Sequence, residues 1–92
     1  MRKDLNKKRQ ITGNTLKYSD LNPGIPLMEI CGYNRVLIEN HRGVAAYHSD
    51  KVSVNIKEGN IIVCGESLRL SRMNRGKLVI CGKISEIHLM RG

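Results

Sequence analysis

One pattern comes round four times between Leu27 and Met90. Met28-Glu29-Ile30-Cys31-Gly32, Ile61-Ile62-Val63-Cys64-Gly65 and Leu78-Val79-Ile80-Cys81-Gly82 are each an apolar run closed by Cys-Gly, and Ala45-Ala46-Tyr47-His48-Ser49 is a fainter copy. Cys31, His48, Cys64 and Cys81 therefore stand 17, 16 and 17 residues apart, and Gly43, Gly59 and Gly76 keep the same step, 16 and then 17. Two series in fixed phase require a fold assembled from four like units.

Inside the units the period is two. In Lys51-Val52-Ser53-Val54-Asn55-Ile56-Lys57 apolar and polar residues alternate, as a strand with one buried face requires. Ser67-Leu68-Arg69-Leu70-Ser71 and Arg35-Val36-Leu37-Ile38-Glu39 repeat the pattern, with Leu37 on the outer face. The polar runs ending near Gly43, Gly59 and Gly76 have the composition of hairpins that close with glycine at positive φ. Gly32, Gly65 and Gly82 fall inside the strand pattern, where glycine marks a bulge or a bend.

The predicted fold is all-β: a small, strongly curved antiparallel sheet or sandwich of four strand-bend-strand units closing on its own apolar face. Phe and Trp are absent, so the core falls to Ile30, Val36, Ile38, Val52, Val54, Ile56, Leu68, Leu70, Val79 and Ile87. A motif repeated in one sense also fits a short two-layer β-solenoid; the hairpin-type turns favour the meander.

Residues 1–26 are read as a basic, mostly irregular tail and linker, because Asn22-Pro23-Gly24-Ile25-Pro26 halts any regular element. Residues 27–92 form the all-β domain. That domain is small for one self-sufficient core, so partner binding or a homo-oligomer is expected. The formal net charge is +8, and the first ten residues carry five positive charges against one negative. Arg2, Lys3, Lys7, Lys8 and Arg9 are candidate contacts to phosphate, on an anionic membrane surface or a nucleic acid, beside the plain reading of a solvated terminus. No apolar stretch follows these charges as in a secretory signal, and the three cysteines lack CxxC spacing, so a cytosolic protein with reduced thiols is expected.

Chemistry is sparse. Cys31, Cys64, Cys81, His41, His48 and His88 contain no pair at zinc-finger or ribbon spacing, so neither metal nor cofactor is expected, and the cysteines read as small packing residues before bend glycines. His48, Ser49 and Asp50 are adjacent and point in different directions, so they make no catalytic group. Glu39, Asn40, His41, Arg42 and Gly43 differ: in a turn they offer an acceptor, an amide, an imidazole and a planar guanidinium together, a candidate partner-docking surface.

Pro26-Leu27-Met28-Glu29-Ile30-Cys31-Gly32, then Arg35 through Gly43, then Leu78-Val79-Ile80-Cys81-Gly82-Lys83-Ile84 resemble the YabP/YqfC family of sporulation proteins. Ile38-Glu39-Asn40-His41-Arg42-Gly43 is the most specific piece, and the overall length resembles the YqfC branch. The resemblance implies a non-enzymatic protein of endospore-forming bacteria, made in the mother cell. It would lie at the cytoplasmic side of the membrane around the forespore and act with an integral membrane protein. The competing reading is a small basic β-barrel that binds RNA or DNA, of a size similar to Sm-like or OB-type modules. Tyr18, Tyr33 and Tyr47 are the whole aromatic complement, few for stacking on single strands. Moreover Arg35, Lys51, Lys57, Arg69, Arg72 and Lys83 are interleaved in sequence with Glu29, Glu39, Asp50, Glu58, Glu66 and Glu86, which reads as a mixed solvated surface.

Overall fold

A computed structural model describes residues 24–92 of the chain. It contains β1 (Leu27–Cys31), β2 (Arg35–Glu39), β3 (Val44–His48), β4 (Lys51–Ile56), β5 (Gly59–Met73) and β6 (Lys77–Arg91). They form one six-stranded sheet in the order β1-β2-β6-β5-β4-β3, and every pairing is antiparallel. Antiparallel pairing throughout excludes the solenoid, whose coils stack in parallel. The path is not a plain meander either: β3 through β6 follow one another, whereas the β1–β2 hairpin sits on the far side of β6.

The two long strands carry the architecture. β2 pairs only with residues 77–81 of β6, and β4 only with residues 59–64 of β5. Between these stretches both long strands lose register, around Gly65 on β5 and Gly82 on β6, and the sheet folds over there. Val36, Ile38, Leu78 and Ile80 of one half then share a core with Val52, Val54, Ile61 and Val63 of the other. Turn carbonyls brace the corner from both sides. Gly82 and Ile84 donate their N–H groups to Asn34 and Tyr33, and Gly65 and Leu68 donate theirs to Asp50 and Ser49, at 2.8–3.1 Å.

The four sequence units thus become an internal pseudo-two-fold. Val36 opposes Ile80 and Ile38 opposes Leu78 in the first half; Val52 opposes Val63 and Val54 opposes Ile61 in the second. These positions differ by the same steps of 16 and 17 that the cysteine and glycine series keep. Within β5–β6 the relation maps the pairing onto itself, Cys64 facing Glu86 as Cys81 faces Arg69. Units three and four are single bent strands, and units one and two are pairs of short strands joined by a hairpin turn.

Of the expected core, Val36, Ile38, Val52, Val54, Ile56 and Leu68 are buried, and Leu70 and Ile87 pack partly against them. Ile30 and Val79 do not belong to it. Ile30 shares the inner face of edge strand β1 with Met28, but the edge lies open and leaves it 53% exposed. Val79 points outward, because Leu78 and Ile80 on either side of it face in. The apolar run Leu78-Val79-Ile80 gives no alternation to choose between its two faces; Ile61, Val63, Leu78 and Ile80 are the buried residues missed for that reason.

The turns differ from expectation as well. Gly32 lies in the β1–β2 hairpin turn at φ 60° rather than inside a strand. The Asn40–Gly43 run is a crossover between the two halves, since β2 and β3 do not pair; Gly43 there does take a positive φ of 102°. In the β4–β5 hairpin Glu58 holds the positive φ, 67°, and Gly59 is glycine for room, since a Cβ there would overlap the Met90 carbonyl oxygen. The β5–β6 hairpin is closed by Asn74, whose Oδ1 accepts from the N–H groups of Gly76 and Lys77.

Candidate docking site

The Glu39–Gly43 crossover has to leave one half of the sheet and enter the other, and its polar groups hold it in place. Asn40, at φ 63°, donates its N–H to the Gly76 carbonyl and its Nδ2 to the Ile25 carbonyl at 2.6 Å. Asn and Asp tolerate this left-handed conformation better than other side chains. Arg42 and Asn55 tie the crossover to β4: Arg42 N–H donates to Asn55, and Asn55 N–H to Gly43. His41 Nδ1 accepts from Gly43 N–H at 3.0 Å, which fixes the tautomer, so Nε2–H donates to the Asn74 carbonyl at 2.9 Å. Glu39 sits 3.9 Å from the Lys77 ammonium.

Asn40 and His41 therefore work inside the molecule, as a clip between the crossover and the β5–β6 turn, while the Arg42 side chain is exposed to solvent. Replacing His41 by alanine removes both imidazole bonds, each partly solvated, and is expected to cost about 1 kcal/mol. Urea denaturation checks this, and an unchanged midpoint would mean that the clip is held by the backbone alone.

Lys77 leads onto the outer face of the first half. Its cross-strand rows run Cys31–Arg35–Cys81–Arg69 and Glu29–Leu37–Val79–Arg72, with Glu39–Lys77 beyond. The pseudo-two-fold equivalents on the second half run His48–Lys51–Cys64–Glu86 and Ala46–Ser53–Ile62–His88. There the one row holds a lysine and a glutamate, and Glu86 bonds His88 at 2.7 Å. The fold thus brings Arg35, Arg69 and Arg72 together on one face, with Glu29 among them, while Asp50 and Glu58 go to turns. Linear spacing hides this arrangement; applying the 17-residue step to Arg69 and Glu86 exposes it.

The cysteines do not share one role. Cys81 is buried, Cys64 half-buried and Cys31 exposed, so packing accounts for two of them. Among the described residues no three His, Cys, Asp or Glu side chains converge as a metal site would need. Ser49 and Asp50 form the β3–β4 turn, and their carbonyls accept from the corner. Arg2, Lys3, Lys7, Lys8 and Arg9 lie outside the described residues.

Comparison with curated proteins and with solved structures returns no match in either set. A family model described as the YabP family matches residues 26–92, from the residue before β1 to the last of the chain. That span takes in both halves of the sheet, the crossover and all six strands, and on it the chain belongs to the YabP family.

Proposed function

We propose that this protein is a non-enzymatic sporulation protein, of the YqfC-like branch on its length, that serves as a scaffold or accessory subunit. Its partner is an integral membrane protein at the membrane surrounding the forespore, reached from the mother-cell cytoplasm. Family membership points to a sporulation-related role and is the observation that carries the reading. The Glu39–Gly43 crossover adds to it: held by Asn40 and His41, it presents Arg42 on a fixed backbone, which lowers the ordering cost of docking.

The test is recovery of the tagged protein from sporulating cells in mild detergent after nuclease treatment. An integral membrane protein is expected in comparable amount. Defined RNA that is lost on raising the salt would sink the reading. In the same assay Arg42→Glu is expected to abolish recovery of the partner while leaving the melting temperature unchanged, because Arg42 is exposed and its side chain is not part of the clip.

A further inference from the structure

We infer that the outer face of the first half, formed by β1, β2, the start of β6 and the end of β5, is a second docking surface in addition to the crossover, and that it takes an extended acidic segment of a partner protein. The inference names the partner chemistry for the docking role proposed above and rests on that reading.

Two contiguous cavities open on this face. One, of about 610 Å³, lies at the corner between Arg35, Arg69, Lys83 and Ser67. The other, of about 430 Å³, runs on past Leu37 and Val79 to Arg72 and Lys77, and the two share Cys31 and Arg35. The groove therefore has a half-buried apolar floor, Leu37 and Val79, with guanidinium groups on its flanks.

The spacing selects the occupant. Arg35 and Arg69 stand on either side of Cys81, two strand spacings apart, roughly 10 Å between backbones. Along an extended peptide laid over β6, side chains on one face recur about every 7 Å, the step from Cys81 to Val79 and from Val79 to Lys77. One carboxylate can then meet Arg35 and Arg69 on either side of Cys81, the next same-face residue, if apolar, lies on Leu37 and Val79, and a second carboxylate meets Arg72 and Lys77 beyond. Glu29 and Glu66 also line the groove, and they repel a continuous run of phosphates while leaving room for a segment with few charges. A protein segment therefore fits better than nucleic acid or a lipid surface.

The pseudo-two-fold supplies an internal control. Lys51 occupies on the second half the place that Arg35 occupies on the first, opposite Cys64 as Arg35 is opposite Cys81. Lys51→Glu changes the net charge as much as Arg35→Glu does, on the wrong face.

The experiment is fluorescence anisotropy with the full chain and a labelled peptide, Thr-Glu-Thr-Leu-Thr-Glu-Thr, at physiological salt. Binding is expected to weaken at least tenfold in Arg35→Glu/Arg69→Glu and in Arg35→Gln/Arg69→Gln, the latter removing two positive charges and so matching the net-charge change of Lys51→Glu, and less than twofold in Lys51→Glu. Melting curves of each variant confirm the fold. Equal loss in Lys51→Glu would overturn the site in favour of nonspecific attraction. So would absence of peptide binding alongside binding to phosphatidylglycerol vesicles or to a single-stranded oligonucleotide. Peptide binding with no membrane partner recovered from cells would sink the docking role and leave the groove; partner recovery that survives both double variants would sink the groove alone.

Discussion

Gly65→Ala is expected to cost about 3 kcal/mol or more, beyond the usual range for adding a single methyl group to a packed site. The reason is backbone against backbone. Gly65 sits where β5 loses register with β6, and a Cβ built there would overlap the Lys83 carbonyl oxygen and come within 3.1 Å of the Ile84 Cα. Neither atom belongs to a flexible side chain that can swing away, so β5 and β6 must separate at the corner. The same corner carries the Gly65-to-Asp50 and Leu68-to-Ser49 bonds, which would loosen with it. For a domain of this size one kcal/mol moves the melting temperature by about 4–8 °C, so a fall of about 15 °C is expected. Gly76→Ala is the matched control: no atom lies within 4 Å of its Cβ and its φ is not positive, so alanine there is expected to be neutral or to stabilise by about 0.5 kcal/mol. A small loss at Gly65 would mean that the corner has slack and that the fold-over is not enforced by this contact.

These two glycines also show what a linear reading of the chain can reach. The step of 16 and 17 residues is visible without coordinates, and so is the alternation that puts Val52, Val54 and Ile56 on one face. Why each glycine is needed is not visible. Gly43, Gly59 and Gly76 are one series by spacing, yet Gly43 needs its positive φ, Gly59 needs the absence of a Cβ, and Gly76 needs neither. The second unit explains the mixture: Ser49 and Asp50 reverse the chain where the third and fourth units only bend it. One repeat is therefore realised in two ways, and the pseudo-two-fold that relates units one and four to units two and three is a tertiary property.

The docking reading divides along the same line. Glu39 through Gly43 stand out in sequence as a polar, chemically varied turn, and they do form a fixed crossover, half-buried except at Arg42. That Asn40 and His41 are consumed in holding it depends on Ile25, Gly76 and Asn74, residues distant in the chain. The basic groove is less legible still. Arg35, Arg69 and Arg72 become neighbours only when β2 and β5 flank β6, an order in which β2 lies beside β6 instead of its successor β3.

Leu78→Ala is expected to cost about 3–4 kcal/mol, and Val79→Ala about 1 kcal/mol or less. Both residues lie in one apolar run on β6, so composition does not separate them. Leu78 is fully buried, opposite Ile38 of β2 and Met73 of β5, and truncation leaves a cavity in a core of mostly stiff β-branched residues that cannot fill it. Val79 faces the groove beside Leu37 and loses only part of its cover. By the pseudo-two-fold the same contrast should recur on β5, with Ile61→Ala costly and Ile62→Ala mild, since Ile61 is buried and Ile62 points out. Urea titrations of the four variants decide the matter. Because a strand shifted by one residue turns every side chain to the other face, the reverse order at both pairs would show that β5 and β6 pair one residue out of the register described here. The reverse at one pair alone would break the pseudo-two-fold, and with it the use of Lys51 as the counterpart of Arg35.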